Sequence, residues 1–154
     1  NFGIVAKDEV LSVLVIKGLQ EDDYQSQTSN SLAKVLDLKG KVIIGDKALK
    51  FYYENPNIEK IDLAKEWKEK YNLPFVFAVL CFNKNKMSLK KLTKDFNKRH
   101  IKIPQYILEQ YSKRSGVSKN NILKYLEKID YNLGFKEKRS LKLFFKLAKE
   151  KGLK

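Results

Sequence analysis

The apolar pattern of this chain changes its period once, near residue 83, and that change limits the folds open to it. Before it, short runs of β-branched and aromatic residues alternate with helical stretches. After it, apolar residues recur only at helical spacing. The runs at residues 2–6, 10–17, 41–44 and 75–82 read as strands. The second is almost wholly apolar, as suits a strand covered on both faces. Leu32, Val35 and Leu36 have helical spacing and predict a helix that starts in the cluster Ser26-Gln27-Thr28-Ser29-Asn30-Ser31. A short helix is predicted over 47–53. Asp62 is placed to cap another over 63–71, with Leu63, Trp67 and Tyr71 on one face. Beyond residue 83, helices are predicted over 84–99, 104–114, 119–132 and 137–151. Pro104 falls at a first helical position, and Gly116 and Gly152 fall at helix ends.

Strands alternating with helices imply an α/β layer arrangement with parallel strand pairs. Hydrophobic residues are 43% of the chain and aromatics 12%, enough to bury a core. The longest apolar stretch, 73–82, suits a buried strand and is too short to span a membrane. The four helices that close the chain need a surface to pack on, and only one small sheet is expected to offer it. Asn1 opens almost directly into a strand, so the chain reads as lacking an upstream segment.

The net charge of +14 invites a nucleic-acid reading, but its distribution tempers it. From Lys84 onward there are 21 Lys and Arg against 6 Asp and Glu, whereas the first 83 residues nearly balance. Lysines spread over helical faces usually mark a solvated surface, and a basic surface also attracts small anions. The single cysteine, Cys81, sits in an apolar run and is expected to be buried; one thiol excludes a disulfide framework. The single histidine, His100, lies among Lys and Arg, so a His-ligated metal centre is not expected. No nucleophile elbow of the G-x-S-x-G kind occurs.

Three segments carry candidate chemistry. Residues 26–31 would place hydroxyls and first-turn N–H groups together, a site for a carboxylate that needs no arginine; simple capping is the alternative. Gly45-Asp46 follows a strand where ligands gather in open α/β sheets, so Asp46 could orient a hydroxyl or a water, or merely cap the next helix. Trp67, Phe75 and Phe77 read as core, with Phe75, Phe77 and Val79 on one strand face. Residues 106–129 could form a helix-turn-helix with Lys119, Asn120 and Asn121 facing bases. The alternative is an ordinary helical hairpin with a Gly cap and a Ser cap.

Taken in order, GIVAKDEVLSVLV, SQTSNSLAKVL, GDKAL, DLAKEW, LPFVFAVL and the tail YNLGFKEKRSLKLFFKLAKEKGL resemble the chorismate dehydratase family of the futalosine route to menaquinone. The resemblance implies a two-lobed α/β fold of the type 2 periplasmic-binding-protein kind. Residues 6–75 would form a complete lobe two, and 76–154 the return strand and helical remainder of a partial lobe one. It implies a cytoplasmic lyase that eliminates water from chorismate, giving 3-[(1-carboxyvinyl)oxy]benzoate, without metal or organic cofactor. Ser26, Gln27, Thr28 and Ser29 would bind a carboxylate, and Gly45, Asp46 and Phe77 would line the cleft. Catalytic groups would lie upstream of Asn1. The substrate is the expected partner, with a homodimer left open, and no membrane or specific nucleic acid is expected. The rival readings are the sibling 1,4-dihydroxy-6-naphthoate synthase, a non-catalytic solute-binding protein and the helix-turn-helix.

Overall fold

A computed structural model describes residues 2–19, 27–99 and 102–153. Two three-stranded sheets organise them. Strands β1 (Phe2–Ala6) and β2 (Val13–Ile16) follow one another but belong to different sheets. After α1 (Gln27–Val35) come β3 (Lys41–Ile44), α2 (Gly45–Glu54), β4 (Ile61–Asp62), α3 (Leu63–Tyr71) and β5 (Phe75–Val79). The rest is α4 (Lys86–Lys98), α5 (Gln105–Ser115), α6 (Lys119–Glu127), β6 (Ile129–Asn132) and α7 (Phe135–Glu150). One sheet has the order β5-β1-β6 and the other β3-β2-β4. The chain therefore crosses between sheets at residues 7–12 and returns at 72–74.

All pairings among the described residues are antiparallel, which corrects the expected parallel pairs. A connection that includes a helix can return the chain to either end of a sheet, and strand-helix alternation alone does not choose between them. The expected helix over 119–132 is also corrected: it ends at Glu127, and β6 follows and pairs with β1. The tail thus supplies a strand of its own, the third of the β5-β1-β6 sheet, and two sheets exist where the residue pattern suggested one. Cys81 is exposed, not buried, because β5 stops at Val79 and the chain then leaves the core.

Alternation along β2 explains its full burial. Val13 and Val15 enter the largest cluster with Leu32, Leu63 and Trp67, while Leu14 and Ile16 meet Ile43 and Ala48 on the opposite face. The strand is covered on both faces, as its composition implies. Helix α7 seals the largest cluster with Phe144 and Ala148, and Trp67 donates from Nε1 to the buried Ser140 Oγ at 2.9 Å. Leu49 of α2 joins Leu108, Val117 and Ile122 in a separate cluster that docks the α5–α6 hairpin. That hairpin has the Gly and Ser caps: Gly116 is left-handed at φ 72°, and Ser118 Oγ accepts from Asn121 N at 3.3 Å. Lys119 lies beside Glu109 at 3.3 Å.

Candidate functional site

Four of the seven sequence-predicted residues line a pocket of about 260 Å³ where the two sheets meet. Val10, Ser12 and Val13 line it from the crossover and the start of β2. Thr28 and Ser29 line it from the first turn of α1, and Ile44 and Gly45 from the junction of β3 with α2. Phe77 of β5 and Ile4 of β1 close one side; Tyr125 and Ile129, from the tail, close another.

Of the seven residues singled out by sequence, the lining includes Thr28, Ser29, Gly45 and Phe77. Ser26 and the lone His100 lie outside the described residues. Gln27 opens α1 but is exposed and does not line the pocket. Asp46 sits in the first turn of α2, where its charge suits the helix dipole, but its carboxylate accepts from the Tyr111 hydroxyl and is not part of the lining. Nor does it cap α2: the N-cap position is Ile44. Burial, with the Asp46 carboxylate beside it, pushes the Tyr111 phenol well above its ordinary range. Arg114 lies over the same ring, 5.0 Å from its centroid.

Sequence reasoning missed Ile4, Ile44, Val13, the crossover residues Val10 and Ser12, and the two residues from the tail. Tyr125 and Ile129 continue the helical spacing of Ile122, so nothing in the pattern separates a pocket wall from a packing residue. Val10 to Ser12 read as strand. They are instead held by Asp62, whose Oδ2 accepts from Val10 N at 3.0 Å and Leu11 N at 2.7 Å. Its Oδ1 accepts from Ala64 N at 3.1 Å and Lys65 N at 3.2 Å, the expected cap of α3. Burial pushes the Asp62 carboxyl up, against the downward pull of these N–H groups.

No Lys, Arg, Asp or Glu lines this pocket among the described residues, so an anion there would be held by hydroxyls and backbone N–H groups. A larger open groove of about 690 Å³ lies elsewhere, along the lysines of α4, and contains none of the predicted residues. Among the described residues no group of three or more His, Cys, Asp or Glu could hold a metal ion. No helix among them is long and apolar enough to cross a membrane.

Two antiparallel sheets with helical cover, and a pocket at their junction that no described charged side chain lines, define a mixed α/β protein. A sequence model described as "Menaquinone biosynthesis" matches residues 19–150. The chain is 46% identical over 151 residues to a chorismate dehydratase of Campylobacter jejuni subsp. jejuni serotype O:23/36 (strain 81-176). That match covers 97% of this chain and 67% of the relative. The chain belongs to the menaquinone biosynthesis family.

Proposed function

We propose that the protein is a lyase that dehydrates chorismate to 3-[(1-carboxyvinyl)oxy]benzoate in menaquinone biosynthesis. The observation that carries this reading is the 46% identity, sustained over nearly the whole chain, to a chorismate dehydratase. The pocket is consistent with it. Chorismate carries one carboxylate on its ring and a second on its enolpyruvyl ether side chain, and the pocket is lined by the hydroxyl residues Ser12, Thr28 and Ser29 beside the apolar Phe77 and Ile44. The start of α1 carries the positive end of the helix dipole, which suits a carboxylate.

The reaction breaks one ring C–H bond and the ring C–OH bond. The hydroxyl leaves with a proton as water, and the C–H electrons complete the aromatic ring, so no external oxidant is required. The residues in hand would bind and orient the substrate. In the two-lobed reading, β3-β2-β4 belongs to lobe two (residues 6–75). β5 and β6 belong to the remainder, which closes on it and excludes water. The two crossings between sheets, at 7–12 and 72–74, support that division.

The test is incubation with chorismate and mass spectrometry for loss of one water, on this chain and on its full coding region. Turnover by either supports the reading; absence of turnover by both, with each shown to be folded, overturns it. Thr28→Ala is expected to raise the chorismate KM tenfold or more. A hydrogen bond to a charged group contributes about 1.5–3 kcal/mol, and about 1.4 kcal/mol is tenfold. Urea denaturation should show a stability change within about 0.5 kcal/mol. Equal losses in binding and stability would make Thr28 a helix-start residue only.

A further inference from the structure

We infer that Asp62 is a positioning residue for the pocket, acting through the crossover at residues 10–12 and from there on Gly45. This rests on the pocket being the chorismate site. A helix cap needs only the Oδ1 bonds to Ala64 and Lys65. The Oδ2 bonds go instead to Val10 and Leu11, some fifty residues earlier in the chain. Both residues are buried, and neither N–H belongs to a strand pairing, so the carboxylate is what satisfies them.

The crossover is also strained where it is held. Leu11 is left-handed at φ 63°, a conformation that branched, bulky side chains avoid and that persists only when the surroundings enforce it. The kink divides the segment. Leu11 turns into the cluster with Leu49 and Leu108, while Val10 and Ser12 on either side line the pocket. Ser12 passes the constraint on, because its carbonyl accepts from Gly45 N at 2.8 Å, and Gly45 is itself a lining residue. One buried carboxylate thus sets two walls, joined by a continuous run of backbone bonds.

Two substitutions separate this role from capping. Asp62→Asn keeps an oxygen for the α3 cap but turns a donor toward the Val10 and Leu11 N–H groups. Asp62→Ser keeps a capping oxygen but is too short to reach residues 10 and 11. In both, amide exchange followed by NMR is expected to accelerate at least tenfold at Val10, Leu11 and Gly45, with Ala64 and Lys65 little changed. The kcat/KM for chorismate is expected to fall about tenfold to a hundredfold. Gly40→Ala, outside the pocket lining, should lower stability while leaving kcat/KM at the wild-type value. Wild-type protection at Val10, Leu11 and Gly45, or unchanged kcat/KM in a folded variant, would overturn the inference. So would failure of both Asp62 variants to fold, which would leave the residue a role in stability alone. If the wild-type protein does not turn over chorismate, the functional reading falls, and exchange at Gly45 still decides whether the relay exists.

Discussion

Trp67→Ala is expected to lower the unfolding free energy by about 3–5 kcal/mol, the range for deleting a buried indole from a core that cannot fully collapse. Trp67 is 0% exposed and touches aromatic rings on three sides. Its centroid lies 4.4 Å from Tyr71, 5.3 Å from Phe75 and 6.1 Å from Phe144. These belong to α3, β5 and α7, so one ring joins the first half of the chain to the tail. Deleting it also strands Ser140 Oγ, which lies in the core at 0% exposure. Trp67→Phe separates the two effects. It refills much of the volume but gives Ser140 no indole donor, so a loss of about 1–3 kcal/mol should remain. Ser140→Ala in that background should recover part of it. Chemical denaturation measures all three. A loss below about 1 kcal/mol for Trp67→Ala would mean that α7 does not dock as described.

Trp67 also shows what the sequence could and could not say. Its place on the apolar face of the 63–71 helix is legible from the spacing of Leu63, Trp67 and Tyr71, and Asp62 as a cap is legible from its position. Both follow from local rules, in which neighbours along the chain decide the outcome. That α7 would bring Phe144 and Ser140 onto this ring is not legible, because helical periodicity reveals a face but not its partner. Strand direction is hidden for the same reason. Residues 41–44 are a strand on composition alone, yet their antiparallel pairing with β2 depends on where a long connection ends. At 129–132, Ile129 and Tyr131 fit a strand as well as a helix end, and tertiary pairing with β1 decided it. Among the pocket-lining residues, Thr28 and Ser29 stand out from local chemistry and Gly45 from its place at a strand end, whereas Phe77 reads locally as core and is a cleft residue only through the family resemblance. Tyr125 and Val10 could be found only from the fold, since their role is set by what lies across the pocket.

The same alanine substitution at two glycines should give opposite results, and the difference locates the pocket. Gly40 and Gly45 flank β3 and both have positive φ, 144° and 64°. At Gly40 an added Cβ would stand 2.9 Å from the Ile16 carbonyl carbon and nearer still to its oxygen. That backbone is fixed by the pairing of Ile16 with Lys41, so it cannot yield cheaply. Backbone conformations open almost only to glycine cost other residues about 1–3 kcal/mol, and the clash adds to this. Gly40→Ala is therefore expected to lose about 3 kcal/mol of stability. At Gly45 the new methyl meets nothing within 4 Å, so only the left-handed backbone penalty of about 1–2 kcal/mol applies. Yet Gly45 lines the pocket and Gly40 does not. In enzyme folded at the assay temperature, Gly45→Ala should raise the chorismate KM severalfold, while Gly40→Ala should leave it near the wild-type value. Denaturation curves and Michaelis constants on the two variants provide the comparison. A Gly45→Ala protein that loses stability but binds chorismate normally would move the substrate site away from the β3–α2 junction.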